Sequence, residues 1–357
     1  MKKILVAVEN YPNNSGGVAL MYVHVRNKAY ADSGIDVTVL NFQAEEDYVY
    51  DGIKVISLRG YKSGTDKYDT LVCHAANVRH HYAFLKKYGK KFEKFVFFFH
   101  GHEVLKINKT YPAPYPYVRK SKIKAWLQDR YDDFKLSVWR KYYPKVKGKS
   151  TFVFVSKWML DEFLKWTKIP YDAIKNQCEI TYNCVGKAFE EALYDPNLPK
   201  EYDFITVRSY LDGSKYCADI VNKLAYANPS LKFLLVGKGE FFNHYEKAPN
   251  ITWLNQTMNH KEIIEQMQKS RFALMPTRTD AQGLMMCEMA AFGIPVITSD
   301  IPVCHEVFDD FKNAFFINNE DVNKDLSGFL NKNLTIFKDE RFFLSKTAVN
   351  EIAIINR

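Results

Sequence analysis

The chain has 357 residues, of which 47% are hydrophobic and 25% charged, a composition that excludes disorder and allows about two or three domains. No apolar run approaches the roughly 20 residues of a membrane span, and the six scattered cysteines include no CxxC pair, which argues against a disulfide framework or a zinc site. Most of the net charge of +9 lies between residues 117 and 150, where 11 Lys or Arg accompany three Asp.

Short apolar runs alternate with helical patterns over the first half of the chain. The pattern predicts strands at 4–8, 37–40, 55–58, 71–74, 95–99 and 151–155, and helices at 18–32 and 121–143. The run after Met1 is too short for a signal peptide and no cleavage site follows, so we interpret it as the first strand of a cytoplasmic domain. Alternation of this kind is typical of a parallel sheet wrapped by helices.

The helix predicted at 121–143 is basic and aromatic. Its apolar positions recur every three or four residues, at Ile123, Leu127, Tyr131, Phe134, Val138 and Tyr142, and its flanks hold Lys122, Lys124, Arg130, Lys135, Arg140, Trp126 and Trp139. Two interpretations stay open: a core-packing helix with a solvated charged face, or a helix that lies on an anionic membrane surface. We do not expect nucleic acid as a partner, because no recognition module accompanies the charge.

The regular alternation of strand and helix patterns becomes less clear near residue 178, and residues 195–199 have the composition of a linker. It then restarts, with strands predicted at 204–207, 233–236, 251–254, 272–275 and 295–298, and helices at 218–227, 260–268 and after Gly283. We therefore expect an α/β protein of two Rossmann-like, doubly wound domains, 1–185 and 200–345, that face each other across a cleft. A C-terminal helix at 346–357 would pack back toward the first domain.

The segment 275–300 has the features of an anion site. A strand ends at Pro276, a polar loop with Asp280 follows, and an apolar helix begins after Gly283 with Glu288 inside it. Exposed amides at a helix start suit a phosphate, and a carboxylate further along can accept ribose hydroxyls. This segment predicts a sugar-nucleotide site.

Other candidate residues stand where strands end. Arg208 follows the strand 204–207 and Lys215 precedes the next helix, so two cations could neutralise a diphosphate at the carboxyl edge of the sheet. His100 ends the strand 95–99 and would face the cleft. Gly237 ends the strand 233–236 and either contacts the nucleotide or only turns the chain.

Gly16 and Gly17 stand between the first strand and the first helix. They either form a simple turn or let the backbone approach a phosphate or sugar closely. The pair is not a GxGxxG fingerprint, so a nicotinamide cofactor is disfavoured.

Together these pieces resemble the retaining, nucleotide-sugar-dependent glycosyltransferases of family 4, which have the two-Rossmann GT-B fold. The family pattern, similar to EGFGLxxLEAMAxGxPV, has two glutamates with seven residues between them. Here the stretch 280–296 is DAQGLMMCEMAAFGIPV, in which the first acid is Asp280 and the second is Glu288. The stretch 182–186, YNCVG, is similar to a degraded form of the family's NGVD turn, with Cys184 and Gly186 where Gly and Asp are usual.

The resemblance implies a role for each candidate residue. Glu288 would bind ribose, Asp280 the donor hexose, and the amides of Gly283 and Leu284 the sugar and phosphate. Arg208 and Lys215 would bind the diphosphate. By the same resemblance, Gly16 and Gly17 match the family's glycine loop and His100 the histidine beside the reacting sugar.

The activity implied is that of a hexosyltransferase that retains the anomeric configuration and needs neither a metal nor another cofactor. Its acceptor would be a glycan or a lipid-linked molecule in bacterial surface polysaccharide synthesis, at the cytoplasmic face of the membrane. Two alternatives stay open. One is a nucleotide-sugar epimerase of the same fold, and the other is a non-catalytic module that binds sugar nucleotides.

Overall fold

The computed structural model describes residues 2–17, 19–118 and 121–357, which form two compact units. The first unit consists of residues 1–107, 127–184 and 344–357, and the second of residues 108–126 and 185–343. The C-terminal helix therefore belongs to the first unit. The segment 108–126 belongs to the second unit, although the sequence-based boundary places it in the first.

Up to residue 184 the chain alternates strands and helices much as its pattern predicts. The elements are β1 (Lys3–Val8), α1 (Met21–Asp32), β2 (Asp36–Asn41), β3 (Tyr48–Tyr50), β4 (Ile53–Ile56), α2 (Leu58–Ser63), β5 (Thr70–His74), α3 (Ala83–Tyr88), β6 (Lys94–Phe99), α4 (Ile107–Thr110), α5 (Lys122–Val146), β7 (Ser150–Phe154), α6 (Lys157–Thr167) and β8 (Cys178–Ile180). The predicted start of the first helix, Val18, lies outside the described residues. The strand predicted at 55–58 ends at Ile56, because the Ser57 side chain accepts a hydrogen bond from the Gly60 N–H and starts α2.

The rest of the chain continues the alternation. Its elements are α7 (Lys187–Glu191), β9 (Tyr202–Tyr210), α8 (Ala218–Ala227), β10 (Phe233–Lys238), α9 (Phe241–His244), β11 (Ile251–Leu254), α10 (His260–Gln268), β12 (Ser270–Met275), α11 (Leu284–Phe292), β13 (Val296–Ser299), α12 (Pro302–Phe308), β14 (Ala314–Ile317), α13 (Ser327–Leu330) and α14 (Leu344–Asn356). The short strands β3, β8 and β14 were not predicted, and all three lie at sheet edges.

Each unit is built on one sheet. The first has the strand order β3-β4-β2-β1-β5-β6-β7-β8 and is parallel except where β3 pairs with β4. The second is wholly parallel, with the order β11-β10-β9-β12-β13-β14. This is the 3-2-1-4-5-6 order of a doubly wound nucleotide-binding sheet, in which ligands bind where the strand order reverses. The expected fold class, two doubly wound parallel sheets, is confirmed.

A buried charge cluster attaches α14 to the first unit. The Arg26 Nε lies 2.9 Å from the Glu351 carboxylate, and both side chains are fully buried. Arg26 also donates to the Asn183 side chain at 2.8 Å, and the Tyr30 hydroxyl donates to Glu351. Ile354 and Ile355 of α14 join the apolar core around β1. Asn183, which belongs to the degraded NGVD turn, thus has a structural partner.

The buried face of α5 is not its apolar stripe. Asp132, Lys135, Leu136, Trp139 and Tyr143 are buried, whereas Ile123, Trp126, Leu127, Tyr131 and Phe134 are exposed. The prediction that Lys135 decorates a solvated flank is therefore wrong. Its ammonium pairs with Asp132 at 2.7 Å and donates to the carbonyls of His102 and Leu105, so the buried pair satisfies loop groups that would otherwise lack partners.

All six cysteines are free thiols, and five of them are buried. Within residues 2–17, 19–118 and 121–357 there is no group of three His, Cys, Asp or Glu that could hold a metal ion. In the same ranges no helix combines the length and the apolar character needed to cross a membrane.

We predict that Glu351→Gln destabilises the chain by about 3–5 kcal/mol, because the Arg26 charge would stay buried without its counter-ion. Urea unfolding followed by circular dichroism measures the difference. Glu179→Gln is the matched control, since it removes the surface partner of Arg357 and should change stability by less than about 1 kcal/mol. Equal unfolding midpoints for the two variants would contradict the prediction.

Candidate functional site

The carboxyl edge of the second sheet forms a cavity of about 410 Å³. It opens where the strand order reverses, between β9 and β12. Arg208 belongs to β9, and the loop 276–283 follows β12 and leads into α11. Of the predicted site residues, Arg208, Lys215, Asp280, Gly283, Leu284 and Glu288 line this cavity together.

Arg208 is a buried cation without a carboxylate partner among the described residues. Its side chain donates from Nη2 to the Pro276 carbonyl at 2.7 Å, while its buried Nε has no partner. Burial lowers the pKa of Arg208, but an arginine side chain stays protonated in proteins. A buried charge with an unused donor in a cavity is a binding group for an anion.

Lys215 supplies a second cation to the cavity. It lies in the one-turn 3₁₀ segment Ser214–Tyr216. Its ammonium lies 4.7 Å from the centre of the Tyr216 ring, and the Arg208 guanidinium carbon lies 5.2 Å from the same ring. The Tyr216 ring thus contacts both cations, and attraction between a cation and an aromatic face helps to hold each of them in place.

The start of α11 adds a third positive element. Gly283 precedes the nine residues of α11, whose first amides have no partner within the helix. A Cβ at Gly283 would lie 2.1 Å from the terminal methyl of Met286, so a larger residue there requires that side chain to move. Asp280 lies in the preceding loop, where its carboxylate accepts a hydrogen bond from the Ala281 N–H at 2.9 Å.

Glu288 lies inside α11 with 5% of its surface exposed. Burial raises the pKa of Glu288 to about 8, although a hydrogen bond from the Gly186 backbone opposes the shift. His260 Nε2 lies 3.8 Å from the carboxyl oxygen, and burial lowers the pKa of this imidazole. Both shifts favour the neutral forms, so the contact at neutral pH is between neutral groups and is not an ion pair.

Gly186 makes room for this histidine. A Cβ at Gly186 would lie 2.7 Å from the His260 Nδ1, closer than such atoms approach. The His260 ring also packs on Phe189, with the ring centres 4.9 Å apart. The glycine that departs from the NGVD pattern therefore allows an imidazole to reach the ribose-binding candidate, Glu288.

Gly237 does not line the cavity. Its φ of +153° is rare for other residues, and a Cβ there would lie 2.4 Å from the Arg208 carbonyl oxygen. Glycine at this position lets the ends of β9 and β10 approach each other. Its predicted contact with the donor stays a prediction, and what the geometry shows is support for the backbone of Arg208.

The remaining predicted residues lie in the first unit, at the carboxyl edge of its sheet. Gly16 has a φ of +91°, and the Gly17 N–H donates to the Asn13 side chain at 3.1 Å, so the glycine pair forms a hydrogen-bonded turn. His100 Nε2 lies 3.1 Å from the His74 Nδ1. Burial and the nearby Arg26 lower the pKa of His100 to about 3, so this side chain is neutral.

A known protein family matches part of the second half of the chain. Residues 204–332, which include every cavity residue from Arg208 to Glu288, match the family model described as "Glycosyl transferases group 1". The matched stretch lies wholly within the second unit, which is called the transferase domain below after the family that it resembles. The narrower assignment to family 4 stays a prediction.

Part of the chain is similar to a protein that is named for bacterial O-antigen biosynthesis. The chain is 37% identical over 91 residues to the O-antigen biosynthesis glycosyltransferase WclY of Escherichia coli, a match that covers 23% of this chain and 26% of WclY. The chain thus spans about a quarter of the length of this curated relative.

Two solved structures resemble the whole chain. Sucrose-phosphate synthase of Thermosynechococcus elongatus has a TM-score of 0.66 at 13% identity, over 100% of this chain and 94% of that one. WaaG, a glycosyltransferase involved in lipopolysaccharide biosynthesis, has a TM-score of 0.60 at 14% identity, over 98% and 95%. These likenesses confirm the expected GT-B fold class.

Several residues of the transferase domain site were not predicted from the sequence. They are Tyr216 and His260, which line the cavity, and Arg278, which lies behind it. Tyr216 is next to Lys215 in the chain, and that proximity is the one signal that could have identified it. His260 and Arg278 reach the site only through tertiary contacts with Glu288 and with the turn at Lys215.

We predict that the stability of the transferase domain falls as the pH rises from 5 to 9, relative to a Glu288→Gln variant. The unfolded chain ionises this carboxyl near 4.5 and the folded chain near 8, so the folded chain binds an extra proton between these values and loses that advantage as the pH rises. Melting temperatures of both chains over this pH range measure the effect.

The His260 contribution is present in both chains and has the opposite sign. Because its pKa is lowered, it destabilises the folded chain as the pH falls through 6.5. Parallel melting curves for wild type and Glu288→Gln at every pH would show that the pKa of Glu288 is not raised.

Proposed function

We propose that the protein is a retaining glycosyltransferase that moves a sugar from a nucleoside-diphosphate donor to a hydroxyl group of a glycan or lipid-linked acceptor. The observation that supports this most strongly is that two cations, Arg208 and Lys215, line the same cavity as the Glu288 carboxyl group. Two cations suit a diphosphate, and a carboxyl group suits the hydroxyls of a ribose.

The same residues could stabilise the departing diphosphate. When the bond between the anomeric carbon and the phosphate oxygen breaks, the electron pair stays on that oxygen, and the negative charge develops next to Arg208, Lys215 and the first amides of α11. These groups are in place before the reaction, so little reorganisation is needed. We infer that the donor diphosphate is neutralised by the protein itself.

Retention places the acceptor on the face that the diphosphate leaves. The acceptor oxygen bonds to the anomeric carbon, and its proton passes to the departing phosphate oxygen, so no separate pair of carboxylates is required. Asp280 lines the same cavity as the two cations and the start of α11, which supports a role for it in contacting the donor sugar.

The acceptor class follows from the relatives. WclY is named for O-antigen biosynthesis and WaaG for lipopolysaccharide biosynthesis. We therefore propose that the acceptor belongs to a bacterial surface polysaccharide and is reached at the cytoplasmic face of the membrane.

The exposed face of α5 supports a membrane contact. Ile123, Trp126, Leu127 and Phe134 expose between 53% and 70% of their surface, and Lys122, Lys124 and Arg130 are exposed beside them. Apolar side chains that insert among lipids, next to cations that attract anionic headgroups, are the features of a helix that lies in a membrane surface. Arg140 is not free for this role, since it donates to the Thr167 carbonyl at 2.6 Å.

We predict that Arg208→Gln lowers the rate of sugar transfer by about 10²–10³-fold, because it removes the positive charge from the site where the leaving group becomes negative. A thermal-shift screen of nucleotide sugars first identifies the donor, and nucleoside-diphosphate release then measures the turnover. Arg271→Gln is the control, since this arginine is half exposed and pairs with Asp203 away from the cavity.

Equal turnover of Arg208→Gln and wild type would refute the assignment of the diphosphate site. The anomeric configuration of the product, read by NMR, tests retention separately. Conversion of the donor to an isomer without any acceptor would instead identify an epimerase.

We predict that replacing Lys122, Lys124 and Arg130 by Glu weakens binding to vesicles containing phosphatidylglycerol by at least about tenfold, because each cation near such a surface contributes about 1 kcal/mol. Vesicle co-sedimentation at low and high salt measures the effect. The control replaces Lys232, Lys261 and Lys312, which are also exposed, and changes the net charge equally. Equal binding by the two triple variants would refute the membrane role of α5.

A further inference from the structure

The segment 108–118, here called the strap, lies against the transferase domain although it precedes that domain in the chain. The Tyr115 hydroxyl donates to the Asp219 carboxylate at 2.8 Å, and the Tyr115 ring packs on Phe241. The Tyr117 hydroxyl donates to Asp212 at 2.7 Å. The strap is therefore attached to the second unit by two hydrogen bonds to carboxylates and by aromatic packing.

Asp219 connects the strap to Arg278, an arginine whose side chain is 30% exposed. Its two carboxylate oxygens accept from Arg278 Nη1 and Nη2 at 2.9 and 2.7 Å, a two-point contact of well-defined geometry. Because Asp219 already neutralises the charge of Arg278, this arginine is not available as a third cation to bind a diphosphate. Its hydrogen bonds raise the pKa of Arg278, with the bond to Asp219 as the largest cause.

Arg278 in turn holds the turn that contains Lys215. Its Nη1 donates to the Ser214 carbonyl at 2.6 Å, and its backbone N–H donates to the Lys215 carbonyl at 2.9 Å. The Thr277 hydroxyl donates to the same Lys215 carbonyl at 3.1 Å. The backbone on both sides of the Lys215 side chain is thereby fixed to the loop that follows β12.

The strap also contacts the Lys215 side chain directly. The Lys215 ammonium lies 5.3 Å from the centre of the Tyr111 ring and 4.7 Å from that of Tyr216, so two aromatic rings restrict its position. A lysine side chain has many rotamers, and restricting them in advance lowers the entropy that is lost when it binds an anion.

We propose that Arg278, Asp219 and Tyr115 are positioning residues that hold Lys215 on the diphosphate of the nucleotide donor. The proposal rests on the proposed function, because it assumes that a diphosphate binds in this cavity. It adds that a segment from the first half of the sequence determines how the transferase domain recognises the second phosphate. A purely structural role of the same contacts would affect all ligands of the cavity alike.

The test compares nucleoside monophosphates with diphosphates of the same base. Calorimetry with UMP and UDP, GMP and GDP, and AMP and ADP identifies the base that the wild-type chain binds and gives both affinities. We expect Lys215→Ala to weaken diphosphate binding about tenfold, the scale of a hydrogen bond to a charged group, with less than a twofold change for the monophosphate. Arg278→Gln should show the same selectivity with a loss of about three- to tenfold.

A double variant decides whether Arg278 acts through Lys215. If it does, Lys215→Ala with Arg278→Gln binds the diphosphate no more weakly than Lys215→Ala alone, because effects through one shared group do not add. Arg341→Gln is the matched control, since it breaks an Arg–Asp pair in the same unit and should leave both affinities unchanged. Tyr115→Phe removes only the hydroxyl that meets Asp219, and it tests the proposal if Arg278→Gln does not fold.

The outcomes distinguish the two proposals. Equal losses for monophosphate and diphosphate, or additive losses in the double variant, overturn the positioning role and leave the proposed function standing. A wild-type chain that binds none of these nucleotides overturns the proposed function, and the positioning role with it.

Discussion

The site in the second unit is organised around the buried charge of Arg208, which forms no ion pair with any residue that the structure describes. An arginine cannot avoid the desolvation of its charge by losing its proton, so Arg208 must be stabilised by dipoles and neighbouring groups until an anion arrives. The Pro276 carbonyl and the Tyr216 ring each stabilise the guanidinium, but its buried Nε has no hydrogen-bond partner. The neighbouring groups, Lys215 and the start of α11, add positive potential to the same cavity, and this arrangement suits an anionic ligand.

The sheet topology explains why these groups meet. In the order 3-2-1-4-5-6 the chains that leave β9 and β12 diverge to opposite faces of the sheet, and the gap between them opens the cavity. Arg208 comes from one side of that gap, and the loop with Asp280 and the start of α11 come from the other. Because Gly237 has no side chain, the backbone of β10 can lie close to the backbone of Arg208 and support it.

Local signals in the sequence predicted several residues that line the same cavity. A strand end, a glycine and a helix start are visible in adjacent residues, so Arg208, Gly283 and Glu288 could be predicted. Contacts that depend on distant segments could not, such as His260 beside Glu288. Helix α5 shows the same limit. Its apolar periodicity was visible, but Lys135 faces the interior because it donates to carbonyls of a loop, and Asp132 is buried with it as its ion partner. Only the tertiary structure shows which face of a helix is buried when polar groups of a neighbouring loop require hydrogen-bond partners.

The Arg26–Glu351 pair has a consequence for how the protein is made. The two residues are separated by the whole second unit in the chain, since residues 344–357 follow residue 343. During synthesis the second unit is therefore complete before the first one receives its last helix. Until then Arg26 has no counter-ion, and the apolar residues that α14 covers stay in contact with water. The part of the chain that leaves the ribosome first is the one whose folding is finished last.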